Sequence, residues 1–429
     1  METGVRKTVQ EKKMLKFNDG RDWFLEKHYG MFIHWGIYSV GGRSEWERKK
    51  YNVPKEEYDK YIPQFTAEKF DPAQWLDIAQ GAGMEYIVFT TKHHDGFCMW
   101  DTKYTDYNVM HTAFGKDPLR MLADECHKRN FPLVLYYSCM DWAQENYPND
   151  GTCNSVHTDP SKHDMPKYME FLKNQIRELC TEYGEIHGIW WDNNNTRYAD
   201  PSVNALIREL QPKAVINDRG FSPDGDFRTP ERNGKNDDSP FRLPTEACDS
   251  ISRGSWCCMK DGDYNSSRYC MSNITAYIAR DANFLLNIAP ESDGTLSKPY
   301  VDVLNKVSPW FNRVREALYA PHQQWVVYNQ NIICTGKGNT LYFFLMTPPS
   351  GTNLALIPLN TPAVSAELLN TGKQLEVMCK GTTSNKEPTI IIRNYPADEL
   401  YGEIPVLKLT FRENIGEVIA KASAHYYSW

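Results

Sequence analysis

The sequence predicts an α/β fold: a (β/α)8-like (TIM) barrel over residues 1–320, followed by an antiparallel β-sandwich over residues 321–429. Three observations carry this. Short apolar runs alternate with amphipathic segments across the first three quarters of the chain, as βαβ units require. Two of the amphipathic segments begin with Asp-Pro, a helix start in which the Asp caps and the Pro occupies the first turn. Beyond residue 321 the alternation stops, and strand-like runs follow one another with Gly, Asn or Pro turns between them.

Taken in order, "GMFIHWGIY" (30–38) reads as the first strand, then "EYIVFTTK" (85–92), "PLVLYYS" (132–138), "GIWWDN" (188–193) and "AVINDR" (214–219). Continuous apolar runs of this kind suit strands covered on both faces. Between them, "DPAQWLDIAQGAG", "DPLRMLADECHKRN", "MPKYMEFLKNQIRELCTEYG" and "SVNALIRELQP" read as helices, and "YVDVLNKVSPWFNRVREALY" as a late one. A doubly wound open sheet is the rival, but no G-x-G-x-x-G fingerprint follows an early strand. The least regular stretch is 220–246, a long loop of the kind that usually carries function. No convincing helix interrupts the strand-like runs beyond residue 321.

The 429 residues carry a formal net charge of −7 and no long basic run, which disfavours nucleic acid or an anionic membrane as partner. No apolar stretch reaches membrane-spanning length, and the N-terminus as written has no apolar core of a signal peptide. Eleven cysteines without a C-x-x-C pair suggest reduced thiols and a reducing, cytoplasmic compartment; a periplasmic or secreted location would require a leader removed beforehand. No cofactor is implied, and a homo-oligomer is compatible with the composition. The 12 Trp and 25 Tyr are mostly core, but several stand beside His, Asp or Glu ("HWG", "SEWE", "WWDN"), where they can wall a sugar site.

In barrels, active residues project from the C-terminal strand ends. Those ends carry His34 and Trp35, then His93, His94 and Asp95, then Tyr137 and Ser138, then Asp192, then Asn217, Asp218 and Arg219. Asp192, after two tryptophans, reads equally as a helix cap or as a glycosidase nucleophile. Glycoside hydrolysis needs a second carboxyl group, for which Glu231, Glu246, Glu45 and Glu47 are candidates. A metal site is a poor fit: there is no H-x-H or H-E-x-x-H, and His93 and His94 would point to opposite faces of a strand. A non-catalytic carbohydrate-binding protein would keep the histidines and tryptophans but have little use for Asp192.

"YGMFIHWGIYSV", "SEWE", "TKHHDGFCMWDTKYTDYN", "LYYS", "GIWWDN", "INDRG", "GDFRTPE" and "NFLLNIAPESDGTL" together resemble the retaining α-L-fucosidases, in that family's order, over residues 22 to 320. The resemblance implies metal-free removal of terminal α-L-fucose from a fucosylated oligosaccharide or glycoconjugate. It implies Asp192 as nucleophile and Glu246 as acid/base, with Glu231 as the alternative. It further implies a fucose pocket of His34, Glu45, Trp46, His93, His94, Tyr137, Trp190, Arg219 and Trp256. Asn193 stands where many members have Gly.

Overall fold

The computed structural model describes residues 16–149, 155–232, 240–323, 331–357, 359–381 and 388–426. The amino-terminal stretch read for a leader, part of the 220–246 loop and part of the run after residue 321 lie outside the described residues.

Seven parallel strands form the first sheet: β1 (Tyr29–Ile33), β2 (Tyr86–Lys92), β3 (Leu133–Ser138), β4 (Gly188–Asp192), β5 (Val215–Ile216), β6 (Glu246–Ser250) and β7 (Asn283–Ile288), in the order β5-β4-β3-β2-β1-β7-β6. The first five match the apolar runs of the sequence, though the first run stops at Ile33 and the fifth keeps only two residues. The last two go beyond those runs: polar Glu246, Asp249, Asn283 and Asn287 interrupt the apolar pattern. Expected helices occur at Pro72–Gly81, Pro118–Arg129, Met165–Glu182, Ser202–Leu210 and Lys298–Leu318. Asp71 and Asp117 cap the first two through backbone N–H groups, as their Asp-Pro starts require.

Strand parity divides the side chains. Phe32, Tyr86, Val88, Val134, Tyr136, Trp190, Val215, Cys248 and Leu285 form one cluster inside the curl of the sheet. Their neighbours Met31, Ile33, Ile87, Phe89, Leu135, Tyr137, Trp191 and Leu286 pack in the larger core on the other face.

The sheet is curled but is not a closed ring of eight regular strands. Between β5 and β6 the segment 226–232 is not a regular strand, yet it bridges Asn217 to Phe227, Arg228 to Thr245 and Glu231 to Cys248. It also shares backbone hydrogen bonds with both neighbours, among them Asp226 N–H to Ile216 O, Arg228 N–H to Pro244 O, Glu246 N–H to Arg228 O and Cys248 N–H to Pro230 O. Pro230 and Pro244 lack the N–H a regular ladder would use there. Side chains complete the seam. Asp226 accepts from Arg21 and Arg208 and from the backbone of Ile216, while Arg219 donates to Thr229. Gly225 lies against the Asp218 backbone, where a Cβ would come within 2.6 Å.

The second sheet is antiparallel. Its strands are β8 (Ile332–Lys337), β9 (Thr340–Leu345), β10 (Leu354–Leu356), β11 (Ala363–Leu368), β12 (Lys373–Gly381), β13 (Pro388–Arg393) and β14 (Val406–Phe411), ordered β10-β13-β12-β11-β14-β9-β8. Hydrogen bonds connect them edge to edge in that order, an antiparallel unit consistent with the expected sandwich. Leu341, Phe343 and Leu345 face this unit's own core, whereas Tyr342 and Phe344 join the core of the parallel sheet. After the last strand comes a helix not among those expected from sequence, Ile415–Tyr426; Ile415, Val418 and Ala422, at helical spacing, close the second core.

Candidate active site

A cavity of about 420 Å³ opens at the C-terminal end of the parallel sheet, lined by His34, Trp46, His93, His94, Tyr136, Trp190, Asp192, Arg219, Glu231 and Trp256, with Phe32, Cys248 and Asn193 to Asn195. That volume suits a small-molecule site.

Asp192, the last residue of β4, is held from two sides. Tyr136 Oη donates to Oδ2 at 2.8 Å, and Arg219 donates to Oδ1 at 3.0 Å. The same Arg219 nitrogen lies 2.9 Å from Glu231 Oε2. Burial works against the guanidinium charge, but Asp192 and Glu231 outweigh it and hold Arg219 above its ordinary range. The guanidinium also lies 4.8 Å from the centre of the Trp190 ring.

The histidines come together because the chain turns directly after β2. The Gly96 N–H bonds His93 O, Gly96 adopts φ +79°, and the two imidazoles end 4.0 Å apart. The strand geometry that would have set them on opposite faces ends at Lys92. Asp95 braces this turn, accepting from Tyr58 Oη and the Phe97 N–H; burial pushes its carboxyl up to about 6. Burial lowers His34 and His94 to about 3 and holds His93 well below its ordinary range, so all three are neutral at pH 7.

Their neighbours fix two tautomers. Asn287 spends its N–H groups on Ser250 and Trp256 O, so its Oδ1 accepts from His34 Nδ1–H at 2.7 Å. Ser138 donates to Met140 O and therefore accepts from His94 Nδ1–H, also at 2.7 Å. The Nε2 lone pair of His34 remains as an acceptor for hydroxyl groups, while His94 Nε2 lies 3.6 Å from Asp192 Oδ2 at the edge of the same pocket. Trp46 packs edge-on to His94, and Trp256 stacks on His34, giving aromatic walls.

Three sequence expectations change. Tyr137 points away from the cavity: its hydroxyl bonds Gln175 at 2.5 Å, and Tyr136 takes the place by parity with Trp190 and Asp192. Glu45 does not line the cavity. Its Oε2 accepts from Ser255 Oγ and from the N–H groups of Trp256 and Cys257, which ties down the loop that presents Trp256.

Glu246 is also outside the cavity. It opens β6 at the inner, N-terminal end, 2 % exposed, with Tyr86 Oη and Trp190 Nε1 bonded to its two oxygens. Burial pushes its carboxyl up to about 7, against the pull of those two hydrogen bonds. Glu231, 41 % exposed at the side chain, is the second carboxyl that meets Asp192 across Arg219. Tyr136 was legible only through alternation against Asp192. Among the described residues, no group of three or more His, Cys, Asp or Glu could hold a metal ion.

The α-L-fucosidase family model matches residues 4–316, most of the chain and all the elements that build this site. The chain belongs to the α-L-fucosidase family. It is 28 % identical to human tissue α-L-fucosidase over 379 residues, 81 % of this chain and 80 % of that one. Among solved structures, α-L-fucosidase isoenzyme 1 from Paenibacillus thiaminolyticus superposes with a TM-score of 0.81 at 29 % identity, covering 92 % of this chain and 99 % of that one. A family 29 α-L-fucosidase from Bacteroides thetaiotaomicron, trapped as a covalent intermediate with 2-fluoro-fucosyl fluoride, gives 0.75 at 25 % identity. That match covers 95 % of this chain and all of the other.

Proposed function

We propose that this protein is a retaining exo-α-L-fucosidase that releases terminal α-L-fucose from a glycan or glycoconjugate, with Asp192 as nucleophile and Glu231 as acid/base. One observation carries the reading. A single Arg219 nitrogen bonds both carboxylates, so the bonded oxygens lie within about 6 Å of each other, near the ~5–5.5 Å spacing of retaining glycosidases. Membership of the α-L-fucosidase family supports the substrate class.

In the first step Asp192 attacks the anomeric carbon while Glu231, protonated, passes its proton to the departing glycosidic oxygen. The aglycone leaves as an alcohol, and the sugar stays bound as an ester of Asp192. In the second step Glu231 takes a proton from water as the water oxygen displaces Asp192, regenerating both carboxyls. The neutral imidazole of His34 accepts from a sugar hydroxyl, while Trp46 and Trp256 pack against the ring. Arg219 and Tyr136 hold the Asp192 carboxylate in place before the attack.

The barrel reading extends to the seam, where 226–232 serves as the irregular eighth rung, followed by an antiparallel β unit as in sandwich domains. The described thiols, buried except for Cys379, support a reducing compartment.

Asp192→Ala should abolish turnover of an aryl α-L-fucoside with the circular dichroism spectrum retained; near-normal turnover defeats the assignment. Glu231→Ala should be slow and recover with azide as a glycosyl azide forms. Rescue in Glu246→Ala instead would reverse the acid/base assignment. Turnover that EDTA abolishes would favour a metal-dependent hydrolase.

A further inference from the structure

We propose that Glu246 is a positioning residue that sets the Trp190 ring, and through it the two donors that hold Asp192. This rests on Asp192 being the nucleophile. Trp190 Nε1–H donates to Glu246 Oε1 at 2.9 Å, and Tyr86 Oη donates to Oε2 at 2.6 Å. Above this anchor the Trp190 ring meets both partners of the nucleophile. It stacks with Tyr136 at 5.6 Å and 20°, and the Arg219 guanidinium lies 4.8 Å from its centre. Tyr136 and Arg219 then hold opposite oxygens of Asp192. An indole without its N–H partner would be free to tilt in the inner core, and both donors would move with it.

Glu246 cannot act on the substrate directly, because it lies beneath Trp190 and outside the cavity lining. Its bond from Trp190 persists in either protonation state. As a carboxylate it accepts from both neighbours. Protonated, it accepts from Trp190 and donates its O–H to the lone pair of Tyr86 Oη. Cys248, on the same strand, also feels the Glu246 charge, and burial keeps it as a thiol. A glutamine reproduces the neutral arrangement, Oε1 accepting from Trp190 and Nε2 donating to Tyr86. An apolar residue, or a shorter acid, does not.

The test uses the full chain carrying Glu246→Gln, Glu246→Asp or Glu246→Leu, assayed on aryl α-L-fucosides with leaving groups of differing acidity, across pH, with and without azide. Glu246→Gln should stay within about threefold of wild type in kcat/KM, with a superimposable pH profile, because the Trp190 bond survives. Glu246→Leu should lose kcat on the order of a hundredfold, the scale of a misplaced catalytic group. The loss should be alike for all leaving groups, with a smaller change in KM and no azide rescue. Glu246→Asp, which keeps the acid but retreats from both donors, should lose about tenfold for the same reason.

Full activity in Glu246→Asp or Glu246→Leu overturns the proposal, and should the leucine variant fail to fold, the aspartate variant decides. A glutamine variant as impaired as the leucine one, and accelerated by azide, overturns it in favour of direct acid/base chemistry. Asp192→Ala runs in the same assay: if it stays active, the nucleophile assignment has failed, whatever Glu246 does.

Discussion

Replacing Lys92 by Met should cost this fold about 3–5 kcal/mol, the range for breaking a buried ion pair from one side. Lys92 Nζ and Asp141 Oδ2 lie 2.7 Å apart, with side chains 0 % and 1 % exposed. The ammonium also sits 4.3 Å from the centre of the Tyr137 ring. Met keeps the length and the packing of the stem, so the loss is electrostatic and not a cavity. Asp141 Oδ1 retains its bonds from the Ala143 and Gln144 N–H groups, whereas Oδ2 keeps no partner.

Asp141→Asn should be costly for the opposite reason, an ammonium left alone. The double variant removes both charges and should regain about 2 kcal/mol or more over the sum of the singles. Urea unfolding, with slopes compared across the four proteins, measures these values. A Lys92→Met variant within about 1 kcal/mol of wild type, below what an uncompensated buried charge allows, would refute the reasoning, as would strict additivity. The same variants should weaken fucoside binding, because Asp141 anchors the loop that lays Trp142 against Trp46 and His94.

Tyr136→Phe, which removes a hydrogen bond to a charged carboxylate worth about 1.5–3 kcal/mol, should lower kcat/KM by about tenfold or more. Tyr137→Phe should leave kcat/KM nearly unchanged; the reverse pattern in aryl fucoside assays would sink the parity argument. Glu246 holds its proton up to about pH 7 when folded, against an ordinary 4.5, so its contribution to stability is full at low pH and lost as pH rises through 7. Glu246→Gln should therefore gain about 3 kcal/mol on wild type between pH 4 and pH 8, read by urea unfolding. His34 and His94 work in the opposite sense: both are buried neutral, so stability falls as pH drops from 6.5 toward 3, by ~1.4 kcal/mol per pH unit for each. Among the described cysteines only Cys379 should react quickly with a thiol reagent in the native protein, the rest being buried.

Local chemistry made much of this legible. Asp-Pro starts and apolar runs marked the helices and five of the seven parallel strands, because both are set by neighbours in sequence. The strands at Glu246 and Asn283 escaped because their polar residues are satisfied only by distant partners such as Tyr86, Tyr269 and the Phe24 carbonyl. Asp192, Arg219 and the histidines stood at strand ends and could be collected there. The choice between Tyr136 and Tyr137 needed the register of β3 on β4, which two adjacent tyrosines do not reveal. The choice between Glu231 and Glu246 needed depth. One sits at the mouth and the other at the floor of the same curled sheet, and a count along the chain contains no such coordinate. The final helix was visible in principle, since Ile415, Val418 and Ala422 keep a helical period.

The seam between β5 and β6 ties function to the least regular part of the ring. Glu231 rides on a segment whose backbone bonds to β5 and β6 are interrupted at Pro230 and Pro244, with the Asp226 and Thr229 side-chain contacts beside the gaps. Such a segment opens at lower free energy than the strands around it. Mild denaturant should therefore silence the enzyme while its circular dichroism is still native, and dilution should restore it at once. Turnover would then act as a gauge of one local opening equilibrium, readable well before the fold as a whole gives way.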